Sequence, residues 1–173
     1  MKKLFYLALA ALMVLVVSCK KDEARKNSIV LAGVGAAADV SISESELDGG
    51  VYHIVFDFST NDSRKTLTLV CTSSLDGKKI DLTKVIDSAA GSWDIMCYGE
   101  GGHNLFWTSS SSTSPNGYFQ SGTLQIRKGR ERAGVIDFSI ILKKGKTRGT
   151  ADNNDLSLEI DFNGPVKTVE SFE

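Results

Sequence analysis

Few side chains in this chain carry the chemistry of a reaction centre. General acid–base and nucleophilic catalysis need a group titrating near neutrality beside a partner, and the histidines number two, His53 and His103. His53 falls on the polar side of an alternating apolar/polar repeat, where an imidazole is ordinarily solvated. His103 follows Glu100-Gly101-Gly102. A carboxylate and an imidazole three residues apart in a turn supply two donors, short of the set that holds a metal. The sequence has no Gly-x-Ser-x-Gly elbow, no His-Glu-x-x-His and no phosphate loop. Asp152-Asn153-Asn154-Asp155 is oxygen-rich but lacks the glycine and distal glutamate of a calcium loop, and reads as a solvated turn. The expectation is a protein that is not an enzyme, with no catalytic residue, no metal and no cofactor.

The most informative residue is Cys19. Lys2 and Lys3 give a positive start, Leu4 to Val17 is an unbroken apolar run, and Val16-Val17-Ser18-Cys19 closes it. A run that short suits a signal-peptide core, whereas a spanning helix needs about 20 apolar residues. The small residue before the cysteine resembles the lipobox of bacterial lipoproteins. The resemblance implies acylation of the Cys19 thiol, cleavage before it and acylation of the new N-terminus. Residues 1–18 are then a signal peptide, 19–27 the acylated cysteine and a flexible tether, and 28–173 a single β-domain. Lys20-Lys21-Asp22-Glu23 is similar to the export signal that many Bacteroidota lipoproteins carry behind the acylated cysteine. That likeness implies an outer-membrane protein displayed at the cell surface rather than facing the periplasm.

Cleavage before Cys19 leaves 155 residues (173 minus 18), with 18 basic and 21 acidic side chains. That acidic balance argues against nucleic acid as a partner. The basic residues bunch at Arg127, Lys128, Arg130 and Arg132, and again at Lys143, Lys144, Lys146 and Arg148. A meander would place these two groups at opposite ends of one strand, as solvated turn charges.

Period-two alternation dominates the rest. Tyr52, Ile54, Phe56 and Phe58 share one face, as do Leu67, Leu69 and Cys71, then Ile136, Phe138, Ile140 and Leu142, then Leu156, Leu158, Ile160 and Phe162. Weaker strands are expected near 28–33, 37–44, 93–98, 104–109, 119–127 and 146–151. Asp48-Gly49-Gly50, Asn61-Asp62-Ser63, Asp76-Gly77, Lys128-Gly129-Arg130 and Lys144-Gly145 read as turns. Such short links favour antiparallel neighbours. The pattern predicts an all-β fold, a single antiparallel barrel or two-sheet sandwich of about 8–10 strands. One short helix is expected near 82–89, where Leu82, Val85, Ile86 and Ala89 follow helical spacing and Asp81 and Gly91 supply caps.

Asp76-Gly77-Lys78-Lys79-Ile80-Asp81-Leu82-Thr83-Lys84, Ser121-Gly122-Thr123-Leu124, Ile136-Asp137-Phe138 and Lys144-Gly145-Lys146 resemble the pattern of small β-rich Bacteroidales lipoproteins. The likeness covers most of residues 50–150. It implies a lipid-anchored β-domain and transfers no catalytic residue. Asp87-Ser88-Ala89 matches the short pattern at which Bacteroidota attach O-glycans, which makes Ser88 a candidate acceptor.

Cys71 and Cys97 alternate onto apolar faces and are read either as a disulfide or as two buried thiols. Aromatic residues concentrate between 93 and 119, and alternation cannot bury them all: Tyr98 opposes Trp93, and Phe106 opposes Trp107. Tyr98, Phe106, Trp107 and Tyr118 are therefore the candidate binding residues, for a glycan or a protein partner. The expected function is a membrane-anchored binding or interaction module. The alternative is a structural envelope lipoprotein without a small ligand.

Overall fold

The computed structural model describes residues 26–111, 119–133, 135–150 and 154–170. Cys19, Lys20, Lys21, Asp22, Glu23 and Tyr118 lie outside them. The strands are β1 (Lys26–Leu31), β2 (Val34–Ala36), β3 (Ala38–Ser43), β4 (Val51–Thr60), β5 (Ser63–Thr72), β6 (Lys79–Asp81), β7 (Trp93–Tyr98), β8 (Asn104–Ser109), β9 (Ser121–Arg132), β10 (Val135–Arg148) and β11 (Asp155–Val169). Among the described residues one α-helical element, α1 (Glu44–Asp48), joins β3 to β4. The all-β class holds, with eleven strands in one sheet of order β6-β9-β10-β11-β3-β4-β5-β7-β8 that curls into a half-barrel. β1 pairs with the first half of β11, and β2 pairs with β1.

Alternation decides what the barrel holds. Tyr52, Ile54, Phe56 and Phe58 of β4 face inward with Leu67, Leu69 and Cys71 of β5 and Trp93, Ile95 and Cys97 of β7. From the other side come Leu124 and Ile126, Ile136 to Leu142 at every second residue, and Leu158, Ile160, Phe162 and Val166. The rings meet edge to face: Tyr52 and Phe138 at 5.3 Å, Phe56 and Phe162 at 6.2 Å, a geometry worth about 0.5–1.5 kcal/mol per pair beyond area burial. Side chains fill the interior.

The edges are bridged rather than paired. Leu82 N–H bonds the Gly122 carbonyl at the start of β9, and Ile86 N–H bonds the Ser110 carbonyl after β8. The segment between them thus runs from one edge of the sheet to the other, with Leu82 fully buried.

Several sequence expectations need correction. The helix near 82–89 does not form. The Asp81 carboxylate accepts from both the Thr83 N–H and hydroxyl, which makes a turn, and Val85 and Ala89 are exposed while Leu82 is buried. A short 3-10 turn at Ser88–Ala90 is all that follows. One ladder, β11 with β3, is parallel. Lys128-Gly129-Arg130 and Lys144-Gly145 are not turns: β9 runs through the first and β10 through the second. The β10 strand absorbs Lys144-Gly145 as a bulge, with Lys144 at φ 55°. A Cβ on Gly145 would lie 2.5 Å from the Leu158 carbonyl oxygen and 3.1 Å from the Phe119 ring, so only glycine fits there. The expected strand at 28–33 is the hairpin β1–β2, turned at Ala32 (φ 51°) and Gly33 (φ 81°). Its first strand starts at Lys26, which takes the last two residues from the expected tether.

Candidate functional site

On the convex side of β4, β5, β7 and β8 several half-buried apolar and aromatic side chains lie together. The register sets Val55 beside Thr68, Thr68 beside Met96 and Met96 beside Trp107, a row across four strands. A second row runs His53, Val70, Asp94, Ser109, and a third Asp57, Thr66, Tyr98, Asn104. Met96, Tyr98 and Trp107 are half-buried on this outer face, and the Tyr98 hydroxyl reaches the Met96 sulfur at 3.6 Å.

Electrostatics single out Asp94. Burial raises its carboxyl pKa, and the nearby Trp107 indole N–H and Ser109 hydroxyl draw it back down. The indole Nε1 is buried without a full hydrogen bond. The exposed area of Trp107 therefore belongs to the rest of the residue. At one end of the face His53 Nδ1 pairs with the Glu46 carboxylate of α1, and at the other Asp57 accepts from the Thr66 hydroxyl at 2.8 Å and meets Arg64 at 3.6 Å.

The candidate binding residues are divided by this geometry. Tyr98 and Trp107 share the outer face on adjacent strands. Phe106 is not a surface residue as expected: it is 0% exposed, packed at 6.4 Å against Phe119, which in turn lies 6.1 Å from the equally buried Trp93. It belongs to the core because β8 turns every second residue inward. Asp94 and Met96 complete the outer group. The alternation that places Tyr98 opposite Trp93 places them there too, but the register that aligns Met96 with Trp107 is not visible in sequence.

The cysteines are likewise settled. Cys71 and Cys97 are free and buried. Cys71 pairs with Trp93 and Cys97 with Leu67 on the same ladder, which separates the two by four residues along β5 and β7. That spacing is roughly 13 Å, beyond the 7 Å limit between Cα atoms of a disulfide. Of the two readings, register excludes the disulfide and leaves two buried thiols. Burial pushes each thiol up to about 12, with Asp76 adding to the effect at Cys71.

The remaining chemistry is dispersed. His103 and Glu100 are exposed in a loop, and no group of three metal-binding side chains occurs among the described residues. Asp155 is held by Lys146 at 2.8 Å and Gln120 at 3.0 Å, which lowers its pKa. Ser88 is exposed in its 3-10 turn, capped by the Asp87 carboxylate. Two clefts among the described residues lie away from this face: about 320 Å³ at the β10 bulge, lined in part by Lys143, Lys144, Glu159 and Asp161, and about 560 Å³ between β2, β3 and β4. Their mixed-charge, open walls offer no convergent set of reacting groups.

No family model matches the chain, and neither curated proteins nor solved structures yield a match.

Proposed function

We propose that this chain is a lipid-anchored protein of the bacterial outer membrane, displayed at the cell surface, whose β-domain binds a glycan or protein partner through the outer face around Trp107. The observation that carries this reading is the row of Met96 and Trp107 beside Tyr98 and Asp94, on a face where alternation ordinarily places polar residues. Aromatic rings next to a carboxylate suit sugars, whose C–H faces stack on the rings while hydroxyls donate to the acid. The lipobox resemblance at Cys19 and the Lys20–Glu23 segment support the anchor and the surface address, and the likeness to Bacteroidales lipoproteins supports the class. The reading assigns no catalytic residue, metal or cofactor.

A glycan array and a surface-protein pull-down test it. Wild type binds a ligand, while Trp107→Ala and Tyr98→Ala lose at least tenfold in affinity with the melting temperature lowered only slightly. A loss of several kcal/mol of stability instead would make these rings core and remove the site. The second reading, a structural envelope lipoprotein without a small ligand, is favoured by the large apolar side chains packed in the interior of the half-barrel. Wild type that binds neither glycan nor protein supports it.

A further inference from the structure

The N-terminal strand enters the sheet from the same end at which the basic hairpin leaves it. Lys26 pairs with Asn163, Asn163 with Ser139, and Ser139 with Arg127, one row across β1, β11, β10 and β9. Three strand spacings make that row about 14 Å wide. From Ser139, β10 runs back to Val135 at the hairpin, roughly 14 Å further toward the side from which the chain arrives. Six residues lie between Cys19 and Lys26, and the seven backbone steps that join them reach at most about 25 Å. A lipid on Cys19 therefore confines this end of the domain near the bilayer.

The hairpin is built of what anionic headgroups attract. Arg127, Lys128, Arg130 and Arg132 are all exposed, and so is Lys167, which pairs across from Val135. Among the described residues, Arg127, Arg130, Arg132 and Lys167 have no ion-pair partner; Lys128 meets Glu131 at 3.8 Å. Five cations stand against Asp76, Glu131 and Asp137, an excess of two. Val135, 38% exposed, is one of two large apolar side chains left open to solvent among the described residues. α1 brings Glu46 and Asp48 to this end across β3, so the cationic surface is the hairpin rather than the whole end.

We propose that the tip of the β9–β10 hairpin is a second membrane contact, with its arginines on anionic lipid phosphates and Val135 in the headgroup layer. The proposal rests on the lipid-anchor reading. A single weak electrostatic contact suffices because the tether supplies a high effective concentration. Each cation near an anionic surface changes occupancy by about fivefold.

The test uses the full lipidated protein. Cys71 and Cys97 are buried, so a cysteine introduced by Val135→Cys takes an environment-sensitive fluorophore selectively. Ser157→Cys, at the far end of β11 beside Lys146, is the control. In vesicles containing phosphatidylglycerol, the label at 135 should blue-shift and brighten, while in phosphatidylcholine alone it should not. High salt, or Arg127→Gln with Arg130→Gln and Arg132→Gln, should abolish the response. The label at 157 should stay silent. An equal response at both positions, or none at 135, overturns the hairpin contact. Detergent phase partitioning of the same samples reports the anchor separately. Protein in the detergent phase with a silent label at 135 refutes the hairpin contact alone, whereas protein in the aqueous phase refutes the anchor and this contact with it.

Discussion

At the scale of the residue, neighbours in sequence have opposite fates. Phe106 and Trp107 differ by one position, yet the first is sealed in the core and the second stands on the outer face. Phe106→Ala should cost about 3–5 kcal/mol in chemical denaturation, and Trp107→Ala well under half of that. Asp94 carries its own prediction. Its folded pKa is raised, mainly by burial, so it favours the protonated form. Its contribution to stability is full below the ordinary carboxylate pKa and is lost as pH rises through the folded value. At neutral pH the charge opposes folding, so Asp94→Asn should melt slightly higher than wild type, with the difference vanishing near pH 3. The thiols act the same way at the alkaline end. Cys71, Cys97 and Tyr52 are each pushed up to about 12, first by burial. The stability they contribute is intact below about pH 9 and lost between there and pH 12. A thiol reagent at pH 8 should find neither Cys71 nor Cys97 in the folded protein and both after unfolding.

At the scale of the element, the β10 bulge is the feature on which the long strands depend. Gly145 passes close to both β11 and Phe119, and Gly122 lies against it, a Cβ there falling 3.0 Å from the Gly145 Cα. Gly145→Ala should destabilise by about 1–3 kcal/mol through overpacking, read as a lower denaturation midpoint with an unchanged slope. The same element shows where sequence reading fails. Lys144-Gly145 has turn chemistry, and so has Lys128-Gly129-Arg130, yet both lie inside strands. A lysine–glycine pair provides a positive φ or a close approach, and whether the chain then reverses depends on the partner strands. Leu82, Val85, Ile86 and Ala89 have helical spacing, but the Asp81 side chain captures Thr83 and the segment spans the gap between β8 and β9 instead.

At the scale of the whole molecule, the proposed function turns on how the domain is held and what it presents. Cys19→Ala should leave the protein uncleaved or soluble, and detergent phase partitioning against wild type decides it; identical partitioning with identical cleavage would remove the anchor. Replacing Lys20, Lys21, Asp22 and Glu23 with alanine should preserve acylation but reduce protease accessibility in whole cells, and unchanged accessibility would leave that segment without an export role.

Sequence alone determined the class of fold and the inward residues of β4, β5, the first half of β10 and the middle of β11, because a side-chain period of two is a local property that burial on one face enforces. It also determined that Trp93 and Tyr98, or Phe106 and Trp107, could not share a face. Only the tertiary structure decided which strands are neighbours. The register that separates Cys71 from Cys97, aligns Met96 with Trp107, and sets the basic hairpin at the end where β1 begins is a relation between segments distant in the chain. Such relations are fixed by how the apolar faces pack into one shared interior, and no stretch of the sequence contains that information by itself.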